Sequence, residues 1–435
     1  MTETAPVRAL KGMKDVLWPA SYRWEVLVST FAGLAQHAGY GLLLSPMLEE
    51  SRLFRRGFGD DSEVVGKEMY EFDDRDKRRL ALRPEGTAPV VRAFIEHHPV
   101  VPWKAWYVTP AFRHEQPQAG RFRQHHQVGV EAIGSNDPDL DVEVVALAAS
   151  LYRTLGLDRV SLAVNSMGCG KCRTAYVEAL RQYLIEHLDE LCDEHRVKLD
   201  RPLRVLDCKR PECRAVTEGA PRLVDWLDEE CAGHFTRFTA GLDALDIEHH
   251  IEPRLVRGFD YYTRTTFEFA AEALDASQNA VGGGGRYDGL VEQLGGPAAP
   301  GIGFGIGIER LLLACDAEGC FKVDAPCPDA FVVDVTGGAS ARDLCEELRR
   351  AGLGADRAYD KRSLKAQLKL ADRSGARVAI IVGPDELAAG DVTLREMRSG
   401  GSQRRVPRAE VVSALTQAHL STESTDTTDF RGAAS

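Results

Sequence analysis

The sequence predicts an α+β protein in which helices flank an antiparallel sheet, with a small domain inserted in the chain and an α/β domain at its C-terminal end. Strand-like runs around residues 82–94, 104–115 and 123–134 follow one another with only short turns between them. Short turns join antiparallel neighbours, whereas parallel neighbours need a long crossover. The other two observations are a cysteine-rich stretch at about 165–246 and alternating strands and helices after residue 328.

The N-terminal region predicts a helix followed by an edge strand. Between residues 19 and 38 the apolar side chains, such as Leu27 and Phe31, recur at helical spacing, and Gly39 ends the helix. The next segment, YGLLLSPMLE, is apolar enough for a strand. Because proline donates no ladder hydrogen bond, Pro46 places this strand at an edge or an interface.

The chain is predicted to divide into a first domain, residues 1–325, which contains the insert at about 165–246, and a second domain, residues 328–418. The second domain begins with the strand AFVVDV, continues with the helices SARDLCEELRRAG and KRSLKAQLKLADRSG, and ends with the strands RVAIIVG and DVTLREM. This order predicts a compact α/β unit with a mainly parallel sheet. The polar stretch 419–435 predicts a disordered tail.

Length and composition limit the classes of protein. At 435 residues and 47.8 kDa the chain is too long for one core, so two or three domains are expected. A net charge of −12 argues against a uniformly basic surface for indiscriminate nucleic-acid binding, although it allows a local basic patch. No stretch approaches the roughly 20 apolar residues of a membrane span. We therefore expect a cytoplasmic protein with reduced thiols.

Two consecutive strands carry polar side chains that could form a binding surface. In KAWYVTPAFRHE, Arg113 and Glu115 fall on the face opposite the apolar side chains, and in HHQVGVEAI, Gln127 and Glu131 do the same. A solvent-facing sheet surface would give this pattern in one strand. Two such strands, with Gly129 where a ligand could approach the backbone, favour a binding floor.

Two glycine-rich segments indicate close approach of a ligand to the backbone. VGGGGRYDGLVEQLGG has four consecutive glycines before Arg286 but lacks the spacing of a phosphate loop. In GIGFGIGIERLLLA glycine alternates with apolar residues and a helix begins near Ile308, which places Arg310 on its first turn. The pattern suits a planar base or a triphosphate, and tight packing of the helix on the strand explains the glycines equally well.

The segment LVRGFDYYTRTTFEF predicts a strand with an unusual start. Period-two alternation puts Tyr261 on one face and Tyr262 on the other. Arg257 and Asp260 crowd the same end, where a buried strand is ordinarily apolar. A cation, a carboxylate and two phenols side by side indicate a polar ligand.

Together these segments resemble the class II aminoacyl-tRNA synthetases, and among them the histidyl-tRNA synthetases. The class II pattern is carried by the helix and strand ending at Pro46, by FRHEQPQAGRFRQHHQ and by GIGFGIGIERL. The histidine-specific signatures are LVRGFDYYTRT and GGGGRYDGL. The resemblance covers about Val7 to Leu415 and implies the class II synthetase antiparallel sheet, followed by an anticodon-binding domain.

The resemblance implies a site for histidine beside a site for ATP, with Arg113 and Arg257 as the catalytic cations at the α-phosphate. Arg257 stands where related enzymes use an additional metal ion. The residues implied for histidine are Glu85, Gly86, Thr87, Arg113, Gln127, Glu131, Arg257, Tyr261 and Tyr262. The residues implied for ATP are Arg113, Glu115, Arg121, Arg123 and Arg310.

Within the histidine set, the resemblance gives each part of the substrate its own partners. Glu85, Thr87 and Gln127 hold the ammonium group. Glu131 and Tyr262 hold the imidazole, whose neutral ring has one donor and one acceptor. A site that pairs both ring nitrogens rejects isosteric amino acids, because its own polar groups would be left unpaired.

The implied reaction has two steps. The histidine carboxylate attacks the α-phosphorus of ATP and releases pyrophosphate with Mg²⁺, and a ribose hydroxyl at the end of tRNA(His) then takes the histidyl group. This chemistry needs fixed cations and alignment rather than a protein nucleophile. The implied partners are L-histidine, ATP, tRNA(His) and a second copy of the chain, a homodimer formed near Pro46, with no membrane involved.

One departure from the family concerns His125, which stands where the family often has a phenylalanine or tyrosine that stacks on adenine. An imidazole stacks less strongly, so weaker ATP binding is expected.

Two other families were weighed. A regulatory paralogue that serves as a subunit of ATP phosphoribosyltransferase would lack the C-terminal domain and lose Arg113, Arg257 and Arg310. A synthetase for proline or threonine would lack VRGFDYYTR and Glu131. Both are disfavoured, because the chain retains all of these features.

The insert holds short pairs of possible metal ligands: Cys169 with Cys172, Cys192 with His195, Cys208 with Cys213, and Cys231 with His234. These spacings suit zinc, and eight ligands would fill two four-coordinate sites. Small buried thiols in a reduced protein explain the same pattern. The sequence leaves a structural zinc as an open alternative, and the family's chemistry does not require it.

The second domain contains one strongly basic segment, whose cations are Lys361, Arg362, Lys365, Lys369, Arg373 and Arg377. Helical spacing would place its three lysines on one stripe. Such a run is usually a solvated face. In an acidic protein it is also a possible contact for the anticodon stem of tRNA.

Overall fold

A computed structural model gives the fold. It describes residues 6–423 apart from 60, 61, 63, 198, 200, 259, 260, 276–278 and 398–401. The chain forms two compact units, the first reaching to Val323 and the second beginning at Asp324.

The strands of the first unit are, in chain order, β1 (Gly41–Leu42), β2 (Leu48–Glu50), β3 (Glu71–Asp73), β4 (Arg79–Leu82), β5 (Trp103–Phe112), β6 (Gln124–Ile133), β7 (Val160–Ser166), β8 (His250–Ile251), β9 (Thr263–Ala271), β10 (Ala280–Arg286) and β11 (Gly301–Gly307). Within the described residues eight of them form one sheet in the order β1-β5-β6-β11-β10-β9-β7-β8. The inner neighbours pair antiparallel, and β1 and β8 add parallel at the edges. The predicted antiparallel sheet is confirmed. A smaller antiparallel sheet has the order β2-β4-β3.

The helices of the first unit are α1 (Ala20–His37), α2 (Ser51–Phe58), α3 (Thr87–His97), α4 (Pro138–Thr154), α5 (Gly170–Glu186), α6 (Asp193–Val197), α7 (Leu203–Leu206), α8 (Pro211–Glu218), α9 (Glu229–Ala244), α10 (Leu290–Gln293) and α11 (Ile308–Glu318). Short helical turns lie at Val64–Glu68, Leu188–Glu190 and Leu223–Trp226. In the part of the chain that is described, no helix has the length and apolarity needed to cross a bilayer.

One face of the main sheet is covered by helices, among them α1, α4 and α11. Val128, Val130 and Ala132 of β6 are fully buried beneath them. Because side chains alternate along a strand, β6 directs Gln127 and Glu131 to the opposite face. The same alternation that builds the core therefore places polar groups on the face that carries the candidate site.

The prediction of a strand-like run at 82–94 is wrong, because α3 begins at Thr87. The Glu85 carboxylate accepts hydrogen bonds from the backbone N–H groups of Thr87 (2.5 Å) and Ala88 (2.7 Å), which stabilises the first helical turn. Pro89 lies in that turn, where its missing N–H has no helical partner to lose. These local effects outweigh the strand preference of the β-branched residues that follow.

The apolar strand predicted at 40–49 is divided between two sheets. Gly41–Leu42 pair with β5 at an edge of the main sheet, and Leu48–Glu50 pair with β4. Pro46 lies between the two strands, where it interrupts no ladder. The predicted edge position is confirmed for β1, and the prediction of one continuous strand is wrong.

The insert has a small core of its own. Most of its buried apolar residues come from α5, α7 and α8, among them Tyr176, Leu180, Leu184, Val205 and Val216. The last helix in the range 165–246, α9, packs instead on α4 and the main sheet. The separate core therefore occupies only part of the range assigned to the insert.

The second unit is an α/β fold. Its strands are β12 (Ala330–Asp334), β13 (Ala355–Arg357), β14 (Val378–Val382), β15 (Asp391–Glu396) and β16 (Gln403–Pro407). Its helices are α12 (Ala339–Arg350), α13 (Leu364–Ser374), α14 (Pro384–Ala389) and α15 (Val411–Glu423), with a short turn at Arg408–Glu410. The backbone of α15 extends past residue 418, into the stretch predicted to be disordered, and residues 424–435 lie outside the described part.

The sheet of the second unit has the order β13-β12-β14-β15-β16. The pairs β12–β13 and β12–β14 are parallel, whereas β14–β15 and β15–β16 are antiparallel. The prediction of a mainly parallel sheet is therefore wrong for half of it. The connection from β15 to β16 is too short for a crossover helix, so these strands pair antiparallel.

Candidate active site

A cavity of about 410 Å³ opens above strands β6, β9, β10 and β11. Arg113, Arg257 and Arg310 all line it, although they come from the end of β5, the loop before β9 and the first turn of α11. The residues predicted from separate segments that line this cavity are Glu85, Thr87, Arg113, Glu115, Arg121, Gln127, Arg257, Tyr261, Tyr262 and Arg310.

Each of the three arginines is anchored by the protein. Arg113 Nε donates to the carbonyl of Pro84 (2.9 Å), and Arg310 Nη1 donates to the carbonyl of Ala280 (2.8 Å). Arg257 Nη1 forms an ion pair with Glu268 Oε2 at 2.7 Å. The guanidinium of Arg257 lies against Gly283, where an added Cβ would be 2.8 Å from Nη1. One glycine of the four-glycine run thus makes room for a cation.

A second part of the cavity, the tyrosine end, is lined by aromatic rings and adjoins Arg257, whose guanidinium carbon lies 5.8 Å from the centre of the Tyr262 ring. Tyr261 and Tyr262 are buried with ring centroids 4.7 Å apart, and Tyr107 is buried beside them. Burial raises the pKa of all three phenols, so they remain protonated and can donate hydrogen bonds. The predicted alternation of Tyr261 and Tyr262 between two faces is wrong, because β9 begins only at Thr263 and both rings line the cavity.

Glu131 lies behind the cavity wall and does not line it. It is fully buried, and its carboxyl accepts hydrogen bonds from the Tyr287 hydroxyl (2.6 Å) and the Thr87 hydroxyl (2.7 Å). Burial raises the pKa of Glu131 to about 8, although these hydrogen bonds lower it. The resemblance implies direct contact between Glu131 and the imidazole of a ligand, whereas Glu131 is not among the residues that line the cavity.

Glu85 lines the cavity at the start of α3. Burial raises the pKa of Glu85, and the N–H groups of Ala88 and Thr87 act in the opposite direction. Neighbouring Gly86 does not line the cavity, because the Tyr107 ring packs directly against its Cα. Gly86 is therefore a packing position next to the site.

Arg123 also lies outside the cavity wall. Its Nε donates to the carbonyl of Glu115 (3.2 Å), and its side chain packs beside Gly12. These contacts hold the Arg123 side chain in place. By contrast, Arg121 lines the cavity and forms an ion pair of 2.5 Å with Glu115.

The alternating glycines of β11 divide into two groups. Gly305 and Gly307 line the cavity, as expected for a surface that a ligand approaches. A Cβ at Gly303 would collide with the Glu131 carboxyl, and one at Gly301 would collide with the Tyr287 ring. The sequence left two explanations for these glycines, close approach of a ligand and tight packing. Ligand approach fits Gly305 and Gly307, and tight packing fits Gly301 and Gly303.

His125 lines the cavity, and the charges of Arg113 and Arg310 act on its imidazole. Burial, followed by the positive charges of Arg113, His126 and Arg310, lowers the pKa of His125 to about 3. The imidazole is thus neutral at physiological pH. A neutral ring can lie against an adenine without adding a further charge.

Several site residues were not predicted from the sequence. Glu268, which pairs with Arg257, and Asp207, which comes from the insert, both line the cavity. The only sequence signal for Glu268 was its position on the same predicted face as Tyr262. Asp207 had no signal, since nothing in its neighbourhood links the insert to the sheet. Asp260, predicted at the site, lies outside the described residues.

Arg286, at the end of the four glycines, is a structural residue. It is fully buried, and its Nε donates to Asp141 Oδ1 at 2.9 Å while Nη1 pairs with Asp288 at the same distance. A buried guanidinium needs such partners, because its desolvation is otherwise costly. Nearby, His234 Nε2 lies 3.5 Å from Asp141 Oδ2.

The cysteines of the insert form two clusters among the described residues. Cys192, His195, Cys208 and Cys213 bring their ligand atoms within 4.8 Å of one another. Cys169, Cys172 and Cys231 do the same with Asp228. The predicted partner of Cys231 was His234, which instead lies against Asp141.

Only part of the basic segment of the second unit is helical, because α13 covers Leu364–Ser374. Ser363 caps α13 by accepting a hydrogen bond from Ala366 N, so Lys361 lies in the preceding turn. Lys365 and Lys369 are exposed on the helix. Arg377 forms an ion pair with Asp329 at 3.1 Å and does not belong to the exposed stripe.

Family models match both units. The model described as histidyl-tRNA synthetase matches residues 12–311, and the model described as anticodon binding domain matches residues 329–418. A histidine–tRNA ligase of Moorella thermoacetica is 48% identical over 408 residues, which covers 92% of this chain and 96% of the relative. The histidine–tRNA ligase of Halothermothrix orenii is 46% identical, with 91% and 95% covered.

The fold agrees with these sequence matches. The crystal structure of apo S. aureus histidyl-tRNA synthetase superimposes with a TM-score of 0.79 and 35% identity, covering 94% of this chain and 100% of that one. The expectation drawn from the signatures is confirmed, and the regulatory paralogue is not favoured. The chain belongs to the histidyl-tRNA synthetase family of aminoacyl-tRNA ligases.

Proposed function

We propose that the protein is a histidine–tRNA ligase, which activates L-histidine with ATP to histidyl-adenylate and transfers the histidyl group to the 3′ end of tRNA(His). The observation that carries this proposal is the convergence of Arg113, Arg257 and Arg310 on one cavity that also contains Glu85 and Tyr262. Cations for a nucleotide and polar groups for an amino acid thus meet in one space.

The arginines supply the electrostatic part of the reaction. Negative charge builds up on the phosphate oxygens as the histidine carboxylate attacks the α-phosphorus, and fixed guanidinium groups stabilise that charge. In our proposal Arg113 and Arg257 act at the α-phosphate, while Arg121 and Arg310 contact the outer phosphates or the adenine face. Glu268 holds Arg257 through the ion pair of 2.7 Å and so fixes where its charge lies.

The adenine is proposed to lie between His125 and Glu115. The neutral imidazole of His125 stacks on the base, and the Glu115 carboxylate accepts a hydrogen bond from the adenine amino group. Glu115 pairs with Arg121 at 2.5 Å. In our proposal ATP takes up both members of this pair, with its adenine amino group at Glu115 and its phosphates at Arg121. Arg123 supports the loop through the Glu115 carbonyl and does not touch ATP.

Mg²⁺ is expected to accompany the pyrophosphate leaving group. Asp207 lines the cavity and offers carboxylate oxygens, the ligand type that Mg²⁺ prefers, whereas the Glu268 carboxylate is paired with Arg257. The residues present therefore fit a Mg²⁺ that arrives with the phosphates of ATP.

The tyrosine end of the cavity is proposed to select histidine. Glu85, Thr87 and Gln127 hold the ammonium group, Tyr261 lines the same pocket, and the Tyr262 hydroxyl meets one nitrogen of the imidazole. Glu131 meets the other ring nitrogen after giving up its bond with the Thr87 hydroxyl, which becomes available to the ammonium group. This one exchange of hydrogen bonds would thus provide a partner for the imidazole and another for the ammonium group of histidine.

The remaining partners follow from surfaces outside the cavity. The second unit is proposed to bind the anticodon stem of tRNA(His), with exposed Lys365 and Lys369 on α13 as phosphate contacts. A homodimer is proposed at the segment around Pro46, where Leu44, Met47 and Leu48 are exposed in the single chain. The cytoplasm, where translation takes place, is the proposed location.

Amino-acid-dependent ATP–pyrophosphate exchange, measured with each of the twenty amino acids, tests the proposal. We expect exchange with histidine alone, and transfer of labelled histidine to tRNA(His) but not to other tRNAs. Exchange with a different amino acid would contradict the specificity. No exchange with any amino acid would contradict the assignment as a ligase.

A further inference from the structure

We propose that the insert is a zinc-binding domain with two tetrahedral sites. The first site consists of Cys192, His195, Cys208 and Cys213, and the second of Cys169, Cys172, Asp228 and Cys231. Neither site is needed for the ligase chemistry, and each rests on its own set of contacts.

The first site has the spacing of a zinc centre. Zinc bonds of about 2.3 Å to sulfur and about 2.0 Å to nitrogen place tetrahedral ligands roughly 3.5–3.8 Å apart. The Nδ1 atom of His195 lies 3.2 Å from Cys192 Sγ and 3.5 Å from Cys213 Sγ. Cys208 Sγ lies within 4.8 Å of all three. Three sulfurs and one imidazole nitrogen form a familiar ligand set for structural zinc.

A backbone contact also holds one of the sulfurs in place. The Cys192 N–H donates to Cys213 Sγ at 3.4 Å. Hydrogen bonds of this kind commonly orient metal ligands, and here the contact fixes the Cys213 sulfur beside the other ligands of the site.

The second site lies where α5 and α9 begin. Cys169 Sγ lies 3.5 Å from Cys172 Sγ and 3.4 Å from Asp228 Oδ2. The Asp228 N–H donates to Cys172 Sγ at 3.2 Å, a second case of an amide placed on a sulfur. Three sulfurs and one carboxylate oxygen again complete a four-coordinate set.

The positions of the ligands explain what the metals would do for the fold. The helices α6, α7 and α8 have 5, 4 and 8 residues, too short to be stable by themselves. The first site joins all three, since its ligands lie on or beside them. The second joins the start of α5 to the start of α9, where the chain leaves and re-enters the main domain. Small cores commonly need such covalent or metal links.

The first site also lies next to the cavity wall. Cys208 directly follows Asp207, which lines the cavity. Two hydrogen bonds connect this segment to the loop of Arg257: Arg254 Nη2 donates to the Leu206 carbonyl (3.2 Å), and Arg204 Nη2 donates to the Gly258 carbonyl (3.0 Å). A metal at the first site would therefore steady one side of the loop that presents Arg257.

Zinc content tests the proposal directly. The full chain, purified without added metal and washed with chelator, should contain about two equivalents of zinc, because each site takes one ion. Cys208→Ser and Cys231→Ser should each lower the content to about one equivalent, and the double variant should contain almost none. Cys327→Ser is the matched control, since Cys327 belongs to neither cluster, and it should retain about two equivalents.

Two further measurements keep the test decisive if a variant misfolds. Reconstitution of the unsubstituted chain with Co²⁺ should give the intense visible bands of tetrahedral thiolate coordination. Mass spectrometry under non-reducing conditions should find every cysteine of both clusters reduced. Less than about half an equivalent of zinc, iron in its place, or a disulfide within a cluster would overturn the proposal. Zinc content is independent of pyrophosphate exchange, so this outcome leaves the proposed function untouched.

Discussion

The two ends of the cavity differ in how deeply their side chains are buried. At the arginine end, the side chains of Arg113 and Arg257 are each 20% exposed. At the tyrosine end, Tyr107 and Tyr262 are 4% and 8% exposed and Glu131 is fully buried. The difference indicates two tasks. Selection of an amino acid requires buried partners whose loss of pairing is costly, whereas stabilisation of charge on the phosphates requires anchored cations that remain open to the nucleotide.

The contrast predicts different kinetic signatures for substitutions at the two ends. Changes at the arginine end should lower the rate of adenylate formation. Changes at the tyrosine end should mainly raise the KM for histidine and weaken discrimination. A substitution with the opposite signature would show that the two ends are not separate.

The largest effect is expected from Arg257→Ala. Loss of a guanidinium at the α-phosphate should lower kcat for adenylate formation by about 10³-fold, because that charge acts mainly in the transition state. The measurement is single-turnover formation of histidyl-adenylate at saturating ATP. Arg153→Ala, at an exposed position on α4, is the control and should keep the unsubstituted rate. A loss of less than about tenfold for Arg257→Ala would place its charge away from the reaction.

Tyr262→Phe should have the next largest effect. Removing one hydroxyl leaves an imidazole nitrogen unpaired, so the KM for histidine should rise about 10- to 100-fold while the KM for ATP changes little. Pyrophosphate exchange at varied histidine and ATP concentrations separates the two constants. Tyr359→Phe, on an exposed ring of the second unit, is the control. An equal rise in the KM for ATP would contradict the division of the cavity.

Glu131→Gln should change how stability depends on pH. The folded-state pKa of Glu131, about 8, lies above the ordinary 4.5, so the fold favours the protonated acid. The unsubstituted protein should therefore lose stability relative to the variant as pH rises from about 4.5 to about 8, on the order of 1 kcal/mol per pH unit at most.

Thermal unfolding of both proteins at several pH values between these limits measures this difference. Glu25→Gln, at an exposed carboxyl on α1, is the control and should follow the unsubstituted protein. Parallel Tm curves for Glu131→Gln and the unsubstituted chain would show that Glu131 is ionised in the fold at neutral pH.

The smallest effect is expected from His125→Phe. A phenyl ring stacks more strongly on adenine than an imidazole, so the Kd for ATP should fall by about two- to fivefold. Calorimetric titration with ATP measures this change. An unchanged or higher Kd would mean that His125 does not stack on the base.

Much of the fold follows from local sequence patterns. The helix at 20–37, the edge strand at Gly41 and the helix that begins at Ile308 were predicted because periodicity and glycine positions act over a few residues. The helix at 87–97 was missed. Its formation depends on a carboxylate two residues before it, which caps the turn against the β-branched composition.

The sequence signatures predicted the residues that belong to the site. They did not predict the positions of side chains that are set by packing between distant segments. The signatures placed Arg113, Arg257 and Arg310 in one site, and all three line one cavity, but they also assigned the imidazole to Glu131, which does not line that cavity. The position of Glu131 depends on Tyr287 and on Gly303, whose missing side chain leaves room for the carboxyl. Asp228 was overlooked in the same way, because its place beside three cysteines arises from the meeting of two helix starts.

The central claim, that Arg113 and Arg257 act on one reacting nucleotide, is tested most directly by a double-mutant cycle. Single-turnover rates of adenylate formation are measured for Arg113→Ala, Arg257→Ala and the double variant, with the pair Arg123→Ala and Arg257→Ala as the control. We predict that the first pair is coupled by about tenfold or more, and that the control pair is additive within about twofold. Additive effects for Arg113 and Arg257, or equal coupling in the control pair, would contradict the claim.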